Sequence, residues 1–461
     1  MKIMIVGSGG REHAIALKLS ESDRVKQILC IPGNGGTATV PKCQNIAMNV
    51  SDFDGIARFA GVQGMSLVII GPEVPLANGI ADYLQAQNIP VFGPTKAGAR
   101  IEASKIWAKT LMAKAGVPMG KGESFTKPDA AKTYIKTQTA PLVVKADSLA
   151  AGKGVIVADT IAAALEAVDL LWEQGFKTLV VEEYLTGEEV SIFAITDGQT
   201  FRTLIPAQDH KRIGEGDTGE NTGGMGVYAP APLVTPALME RIEREIIAPT
   251  LSALQAKGID YRGVLYAGLM ISESGDPKVL EFNCRFGDPE TQVVLPLLKT
   301  PLETVVLACV HQTLDKLPPL EWEAGCAVCV VAAAEGYPGK YRRGDEITGI
   351  EAAADRGALV FHAGTQRRQK QVLTSGGRVL GVTALGDDFE GAIAKAYDAI
   401  AAIEFEGMYY RRDIAHRVRP QPDPEPTPAE SLGAAAVTPA SEDETAIATP
   451  PSPAEDSPQP D

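Results

Sequence analysis

The sequence has no long hydrophobic run and few cysteine or aromatic residues. None of its apolar stretches approaches the roughly 20 residues that a membrane-spanning helix needs. The segment Met1-Lys-Ile-Met-Ile-Val-Gly7 predicts a strand and lacks a signal-peptide cleavage pattern. Six cysteines in 461 residues do not make a disulfide framework. We therefore expect a cytoplasmic protein that does not cross a membrane.

Cys326 and Cys329 form a CxxC pattern. They lie in a stretch that predicts a buried strand, where an offset of three residues places two side chains on opposite faces. We therefore interpret both cysteines as core thiols and not as a metal-binding or redox pair.

Basic residues are outnumbered by acidic ones, 43 to 58, which gives a net charge of −15. This balance argues against general binding to nucleic acids or to membrane surfaces. Nine of the negative charges lie in residues 420–461, and removing them from the total leaves −6 for the rest of the chain. The same tail holds 11 of the 32 prolines and neither a base nor an aromatic residue, so we expect it to be disordered.

The first hundred residues alternate predicted strands with predicted helices, which is typical of a parallel sheet. Three of the strands end in glycine-bearing loops, at Gly7–His13, Pro32–Gly36 and Gly71–Pro75. Ligands bind at the carboxyl ends of parallel strands, so these loops predict a site for a small phosphorylated molecule. The first loop approximates the dinucleotide-binding G-x-G-x-x-G pattern, but Glu12 occupies the place of the third small residue. A tight turn without a ligand is the alternative.

Residues 141–158 predict a hairpin in which two apolar strands flank a loop of small residues. Lys145 lies within the first strand, where a lone buried ammonium group is energetically costly. The loop is not a Walker A motif, because Asp147 and Gly154 replace required residues and a strand follows. The hairpin is able to lie over phosphates, and an ordinary flexible hairpin is the alternative. Upstream, Ser104 is a candidate cap for a helix over 104–115 that begins with Lys105.

Two polar segments follow the hairpin. Acidic residues surround the turn between two predicted strands at 178–194. Backbone groups beside Glu182 are able to pair with an adenine edge, and a carboxylate such as Glu189 is able to hold ribose hydroxyls. A solvated acidic turn is the alternative. Residues 206–226 form a long polar stretch that we interpret as a loop without secondary structure. Loops of that length are usually functional or disordered, and a lid over a substrate fits this one.

The segment Glu281-Phe-Asn-Cys-Arg-Phe-Gly-Asp-Pro-Glu290 follows a predicted strand. Glu281, Asn283 and Arg285 share one face, because side chains alternate along a strand. Carboxylate and amide oxygens suit Mg²⁺, and a neighbouring guanidinium suits a phosphoryl group. An internal salt bridge from Glu281 to Arg285 is the alternative.

Together these motifs occur in the order expected of ATP-grasp ligases, and the chain resembles the phosphoribosylamine–glycine ligase family of purine biosynthesis over roughly residues 1–416. The resemblance implies an α/β and α+β multidomain protein. Its expected parts are an N-terminal parallel-sheet α/β domain (1–102), an ATP-grasp domain (103–310) with a nucleotide-covering subdomain (120–190), a small C-terminal α+β domain (325–419) and a disordered tail (420–461).

The resemblance also implies the reaction. ATP, glycine and 5-phosphoribosylamine give glycinamide ribonucleotide, ADP and phosphate through a glycyl phosphate intermediate, with Mg²⁺ or Mn²⁺ as the metal. The expected partners are these small molecules alone, and the expected state is a monomer.

The resemblance assigns roles to individual residues. It implies metal ligation by Glu281 and Asn283. The implied catalytic residues are Arg285, Lys145 and Asp288. The implied ATP-binding residues are Lys105, Lys145, Gly152, Lys153, Gly154, Glu182, Glu183 and Glu189. The implied substrate-binding residues are Gly9, Gly10, Arg11, Asn34, Gly35, Glu73, Asp209, His210, Lys211, Asn221, Gly223 and Gly224.

Two positions depart from the family pattern. Ser148 stands where the nucleotide loop is expected to have glycine, and Leu269 and Met270 occupy the region where many ATP-grasp enzymes carry a further metal-binding acid. Three other functions are therefore kept open: a different ATP-grasp carboxylate–amine ligase, an ATP-binding regulatory protein without turnover, and, least favoured, a dinucleotide-dependent oxidoreductase.

Overall fold

A five-stranded parallel sheet opens the chain. The computed structural model of the protein describes residues 1–149 and 154–419. The first strands are β1 (Lys2–Gly7), β2 (Gln27–Pro32), β3 (Cys43–Asn45), β4 (Leu67–Ile70) and β5 (Val91–Phe92). The helices are α1 (Gly10–Ser20), α2 (Phe53–Gln63), α3 (Glu73–Asn78), α4 (Ile80–Gln85) and α5 (Lys96–Ala103).

The strand order is β3-β2-β1-β4-β5, and all neighbours are parallel. The central strands consist of apolar runs that are buried on both faces, as expected of a sheet covered by helices. Because the strands are parallel, the loops after β1, β2 and β4 lie at one edge of the sheet. The predicted convergence of the three glycine-bearing loops therefore follows from the topology.

Helix α6 (Lys105–Ala115) comes next and is capped by Ser104, whose hydroxyl accepts from the Trp107 amide at 3.2 Å. A small antiparallel sheet follows the helix. The following elements are β6 (Gly122–Phe125), α7 (Pro128–Ile135), β7 (Leu142–Ala146), β8 (Val155–Ala158), α8 (Ile161–Glu173) and β9 (Leu179–Glu183). The strand order is β6-β9-β7-β8. Helices α7 and α8 pack on one face of this sheet around a hydrophobic cluster of its own. The predicted hairpin is present, with Lys145 opposite Val155.

A second antiparallel sheet carries the 281–290 segment. Its region contains β10 (Glu188–Thr196), β11 (Phe201–Thr203), β12 (Gln208–Asp209), β13 (Arg212–Gly214), β14 (Thr218–Asn221), β15 (Gly226–Ala229), α9 (Pro236–Ile242), α10 (Ala248–Ala256), β16 (Gly263–Ile271), β17 (Pro277–Asn283), α11 (Thr291–Leu297) and α12 (Leu302–Val310). The sheet order is β11-β10-β16-β17. Phe282 and Cys284 point into a hydrophobic cluster, so Glu281 and Asn283 face the other way, as the alternation predicts.

The expectation that residues 206–226 lack secondary structure is wrong. Strands β13 and β14 pair with each other, and β12 pairs with β15. Strand β15 then pairs with β18 (Cys326–Ala333) of the C-terminal region. The short strands obtain their partners from distant parts of the chain, which the local sequence does not reveal.

The C-terminal region adds β19 (Leu359–His362), β20 (Thr365–Arg368), β21 (Gln371–Thr374), β22 (Arg378–Gly386), α13 (Ile350–Asp355) and α14 (Phe389–Ile400). Its main sheet has the order β12-β15-β18-β22-β19. Cys326 and Cys329 lie in different hydrophobic clusters, which confirms that they occupy opposite faces of β18, and both are free thiols.

The fold class expected from the sequence is confirmed: a parallel-sheet domain, a pair of antiparallel sheets and a small C-terminal α+β part. Within the described ranges 1–149 and 154–419, no helix combines the length and apolar character needed to cross a bilayer. The predicted disorder of 420–461 falls outside the described residues.

Candidate active site

Three lysines lie close enough to Glu281 for their charges to lower the pKa of its carboxyl group. Lys105 lies at the start of α6, Lys145 is buried in β7, and Lys211 follows β12. Burial alone raises the pKa of Glu281, but the charges of Lys211, Lys145 and Lys105 outweigh it and lower the pKa. Among the described residues, the Glu281 carboxylate has no hydrogen-bond or ion-pair partner. The result is an ionised carboxylate within a cluster of cations between two antiparallel sheets.

The buried Lys145 has partners inside the protein. Its ammonium pairs with Glu182 and donates to the carbonyl of Leu280 at 3.4 Å. Glu182 also pairs with Lys109 of α6. These contacts within the protein therefore offset part of the desolvation free energy of Lys145, without any ligand. Lys109 was missed in the sequence, although its spacing of four residues from Lys105 places both lysines on one face of the helix.

Glu281 and Asn283 form a candidate metal site. The amide oxygen of Asn283 accepts from Arg285 Nη2 at 3.1 Å, which leaves it a second lone pair. Gly268 stands opposite Glu281 on β16, so that strand supplies no third oxygen ligand from a side chain there. A Cβ at Gly268 would lie 3.5 Å from Glu281 Cγ and 4.0 Å from Glu189 Oε1. One carboxylate without a partner among the described residues and one amide oxygen with a second lone pair fit a hard divalent cation.

Lys211 is held among acidic residues. It forms an ion pair with Glu189. Burial lowers the pKa of Lys211, but Glu189 and further acidic neighbours outweigh burial and raise the pKa well above its ordinary value. The side chain is therefore a fixed positive charge next to the candidate metal site.

Arg285 joins the 281–290 segment to the N-terminal part of the chain. Its guanidinium lies 3.0 Å from Glu102 and 3.4 Å from Glu73. Among the described residues no ion pair joins it to Glu281, so the alternative of an internal Glu281–Arg285 bridge is not observed. Burial raises the pKa of Glu102, and the charge of Arg285 opposes that effect.

Asp288 connects the 281–292 segment to the N-terminal parallel-sheet region and to the C-terminal region. It accepts from the amide of Arg11 at 3.2 Å and from Gln292 Nε2 at 2.9 Å. Arg378 of β22 lies 3.2 Å from its carboxylate and donates to its carbonyl at 2.6 Å. The sequence carries no sign of this role for Arg378, because the arginine begins a strand ninety residues away and belongs to no recognised motif.

The buried carboxylate of Glu290 ends the same segment. It accepts from Ser191 Oγ at 3.0 Å and from Tyr266 OH at 2.7 Å, which anchors the segment to β10 and β16. Arg285, Asp288 and Glu290 thus bind three different parts of the molecule.

Glu12 explains why the first loop is not a dinucleotide site. Its carboxylate accepts from the amide of Gly9 at 2.5 Å and lies 2.6 Å from Arg11 Nε. A carboxylate of the protein therefore occupies the anion position at the start of α1. A Cβ at Gly10 would lie 2.4 Å from Gln292 Nε2, so this loop packs closely on the 281–292 segment.

Asn34 and Gly35 link the second loop to the C-terminal region. The amide nitrogen of Asn34 donates to the carbonyl of His362 at 2.7 Å, and its oxygen accepts from the Gly36 and Thr37 amides. The amide of Gly35 donates to Thr365 Oγ1 at 3.2 Å. Asn34 therefore shapes the loop, and its side-chain groups are used internally.

A cavity of about 490 Å³ lies between these loops and the C-terminal region. Among the residues that line it are Gly9, Asp288, Tyr337, Thr365 and Arg378. Its walls combine backbone groups of both regions with one carboxylate and one guanidinium, a chemistry that suits a small polar ligand.

Asp209 is a buried acid near this cavity. Its Oδ1 has no hydrogen-bond partner within the described structure. Burial and then the charge of Glu290 raise its pKa well above the ordinary value. Gly224 has φ +113°, and a Cβ there would lie 2.7 Å from Asp209 Oδ1, so the glycine leaves room for this carboxylate. The amide of Gly223 donates to Tyr337 OH at 3.0 Å.

His210 is not among the residues that line this cavity, although the resemblance suggests a substrate contact. Its side chain is fully buried, and its Nε2 accepts from the amide of Ala415 at 2.9 Å. The neutral ring therefore carries its proton on Nδ1, which lies 3.6 Å from Asp217. A direct contact with substrate is not available to this ring.

His210, Asp217 and His416 place one ligand atom each within 4.8 Å of one another, close enough for a metal ion. Two facts argue against that use. The proton on His210 Nδ1 occupies the ligand position, and Asp217 is already bound by Arg411 at 2.9 Å and Arg417 at 2.6 Å. The cluster instead links residues 210–217 to the end of the C-terminal region through ion pairs and hydrogen bonds.

The remaining predicted residues lie around the two sheets. Glu183 accepts from the amide of Lys121 at 3.1 Å and from Lys278 at 3.3 Å. The carbonyl of Gly154 accepts from the Ala146 amide at 2.7 Å at the start of β8. Asn221 is partly buried in β14. Gly152 and Lys153 lie outside the described residues.

Sequence models of three domains of phosphoribosylglycinamide synthetase match the chain. They are the N domain over residues 1–102, the ATP-grasp (A) domain over 103–291 and the C domain over 327–417.

Curated relatives and a solved structure agree with these matches. Phosphoribosylamine–glycine ligase from Nostoc sp. is 60% identical over 423 residues, which is 91% of this chain and 100% of that protein. The protein of the same name from Synechocystis sp. is 58% identical over 417 residues, 90% of this chain and 100% of its own. The crystal structure of phosphoribosylamine–glycine ligase from Thermotoga maritima has a TM-score of 0.77 and 35% identity, covering 90% of this chain and 100% of its own.

Proposed function

Because the chain belongs to the phosphoribosylglycinamide synthetase family, we propose that the charged cluster around Glu281 and the cavity at Gly9, Asp288 and Arg378 together form the site that joins glycine to 5-phosphoribosylamine in purine biosynthesis. The relatives named phosphoribosylamine–glycine ligase support this activity, for which we propose that ATP is converted to ADP and phosphate. The observation that carries the site assignment is the convergence of Lys105, Lys145 and Lys211 on the free carboxylate of Glu281.

The reaction needs positioning and charge stabilisation more than an enzyme nucleophile. The glycine carboxylate attacks the γ-phosphorus of ATP in line, ADP leaves, and a glycyl phosphate forms. The amine of phosphoribosylamine then attacks the acyl carbon, expels phosphate and gives glycinamide ribonucleotide. Lys105, Lys145 and Lys211 stabilise the negative charge that moves among the phosphate oxygens.

ATP-grasp enzymes use ATP together with divalent metal ions. In this chain Glu281 and Asn283 would hold the cation, and Mg²⁺ or Mn²⁺ would suit them because their donors are hard oxygens. A bound cation neutralises phosphate charge and orients the transferred group. The nucleoside is contacted by three acids, Glu182, Glu183 and Glu189. Glu189 gives up its ion pair with Lys211 to make this contact.

The amine-bearing substrates bind at the other end of the cleft. The unpartnered oxygen of Asp209 is suited to the ammonium group of glycine, whose positive charge would oppose the effects that raise the pKa of this acid. The cavity at Gly9, Asp288 and Arg378 is suited to the phosphoribosyl group, since Arg378 supplies a positive charge and Gly9 a close backbone approach. Arg285 and Asp288 keep these subsites together.

Cellular context follows from the same chemistry. We expect ATP, glycine and phosphoribosylamine to be the partners of a monomeric enzyme. The six cysteines are all free thiols, which supports a reducing cytoplasm.

Release of ADP by the purified protein tests this function. We expect sustained release over many turnovers only when glycine and phosphoribosylamine are both present, because the acyl phosphate is consumed only by the amine. ADP release that ignores either co-substrate would favour a different ATP-grasp ligase, and binding of ATP without turnover would favour the regulatory alternative.

A further inference from the structure

Two cysteines of the parallel sheet touch each other. Cys30 Sγ of β2 lies 3.5 Å from Cys43 Sγ of β3. Cys30 is buried and Cys43 is partly exposed. A disulfide bond has an S–S length of about 2.05 Å, so the two sulfurs need to approach by about 1.5 Å. Among the described elements β3 is an edge strand with only three residues, so it pairs with a single neighbouring strand, β2, and is held by few backbone hydrogen bonds.

The thiol pair is asymmetric. The hydrogen bond between the two thiols lowers the pKa of Cys43 and raises the pKa of Cys30. The more exposed sulfur is therefore also the one that more readily becomes a thiolate, which is the nucleophilic form.

The pair lies directly beneath the loop at 33–37. Cys30 is two residues before Pro32, where β2 ends, and Cys43 is two residues before Asn45. The side chain of Asn45 donates to the carbonyl of Asn34 at 2.7 Å and accepts from Thr37 Oγ1 at 2.7 Å. A movement of β3 is therefore transmitted to the loop.

That loop is part of the proposed substrate site. Gly33 lines the cavity that also contains Gly9, Asp288 and Arg378. Asn34 holds the carbonyls of Ser8 and Gly9 at 3.0 and 3.2 Å, so a displaced loop also disturbs the turn after β1.

We propose that Cys30 and Cys43 form a reversible disulfide by exchange with small-molecule disulfides, and that this bond weakens the binding of phosphoribosylamine. The second part rests on the proposed function of the cavity. In the exchange, the Cys43 thiolate attacks a disulfide of the glutathione type, one thiol leaves, and a mixed disulfide remains on Cys43. The Cys30 thiolate then attacks Cys43 Sγ and expels the second thiol. Two protein thiols and one small disulfide thus give one protein disulfide and two small thiols.

Peptide mapping of the full-length protein after incubation with oxidised glutathione tests the bond itself. We expect a loss of two hydrogens and a Cys30–Cys43 cross-link, with the remaining four cysteines still able to react with iodoacetamide after unfolding. The oxidised enzyme should show a several-fold higher KM for phosphoribosylamine with unchanged KM for ATP, and dithiothreitol should reverse the change.

Two variants serve as controls. Cys43→Ser should keep the basal activity and lose the response to oxidised glutathione, whereas Cys326→Ser, in the C-terminal sheet, should keep the response. Free Cys30 and Cys43 after oxidation, or a stable glutathione adduct on Cys43, would overturn the proposal. A cross-link without any change in KM would overturn its functional part. Peptide mapping detects the cross-link by mass spectrometry even if the protein has no phosphoribosylamine-dependent activity. The experiment therefore distinguishes failure of the proposed function from failure of the disulfide.

Discussion

At the scale of single residues, the charge on Glu281 depends on its neighbours. The side chain is partly exposed, and the charges of Lys211, Lys145, Lys105 and Arg285 together outweigh the desolvation that raises its pKa. Two of those lysines have acidic partners of their own, Glu182 for Lys145 and Glu189 for Lys211. Opposite charges are therefore already arranged in the proposed site, so binding of phosphate and a metal ion there would need little reorganisation.

Replacing Glu281 tests the metal assignment. We expect Glu281→Gln to lower kcat roughly 100-fold, because an amide retains the shape of the side chain but not its charge. Excess Mn²⁺ should restore part of the rate if the defect lies in metal binding. Glu351→Gln is a matched control, because Glu351 is an exposed residue of α13. An unchanged Mg²⁺ requirement in the Glu281 variant would remove Glu281 from the metal site.

Gly224 is a second test at this scale. The residue has φ +113°, and an added Cβ would meet Pro289 at 2.5 Å and Asp209 at 2.7 Å. We expect Gly224→Ala to lose at least about 1 kcal/mol of stability and to raise the KM for glycine, because Asp209 must move. Gly258→Ala provides the control, since φ there is +71° with no atom near the added Cβ. Equal effects of the two substitutions on the KM for glycine would exclude a role for Asp209 in binding it.

At the scale of elements, the end of the C-terminal region holds the segment 208–222 in place. The guanidinium of Arg411 is fully buried and donates to the carbonyl of Arg212 at 3.0 Å and to Asp217 at 2.9 Å. Tyr409 OH donates to the carbonyl of Ile213 at 2.8 Å, and Arg417 contacts the carbonyl of Asp209 at 3.4 Å. These contacts fix the backbone from which Asp209 and Lys211 reach the cleft.

Removing this anchor should affect catalysis without any contact to substrate. We expect Arg411→Ala to lower kcat by roughly tenfold to a hundredfold through misplacement of Lys211, with little change in the KM for ATP. If Arg411→Lys restores part of the kcat lost in Arg411→Ala, the positive charge at this position helps to hold Lys211 in place. Arg412→Ala is the matched control, because the neighbouring side chain is exposed and only its amide contacts Glu215. Comparable losses in both variants would contradict the positioning role.

At the scale of the whole molecule, three histidines are buried and neutral. Burial lowers the pKa of His13 to about 3, of His210 to about 4 and of His362 to about 4. His13 Nδ1 accepts from the amide of His362 at 2.8 Å, which a protonated ring is unable to do. His13 and His362 therefore join the N-terminal and C-terminal regions, and His210 joins 210–217 to the chain end.

These pKa values predict acid sensitivity. Below pH 6.5 the histidines bind protons in the unfolded chain before they do so in the folded one, so the free energy of unfolding falls as the pH drops from 6.5 to about 4. Each unit of pKa difference contributes about 1.4 kcal/mol. Urea unfolding at several pH values measures the slope, which His210→Gln should reduce. His311→Gln, at an exposed position, should leave it unchanged, and a slope unaffected by the His210 change would refute this origin.

Much of the fold was predictable from the sequence, because periodicity and turn residues act locally. The strands at 2–7, 67–70 and 326–333 and the helix capped by Ser104 have the expected places. The motif at 281–290 was recognisable for the same reason, since its alternating polar face depends only on the geometry of one strand.

Contacts between distant segments decided the rest. Strands β12 and β15 belong to the C-terminal sheet, Arg285 pairs with Glu102 and Glu73, and Arg378 reaches Asp288, all across long sequence separations. No local pattern encodes such partners, because each is selected by the packing of whole domains. The sequence alone therefore determined the family, the reaction and the elements of the site, through local geometry and motif chemistry. Only the tertiary structure decided which charges meet, such as Lys109 with Glu182 and Arg378 with Asp288, because those partners come together only when the domains pack.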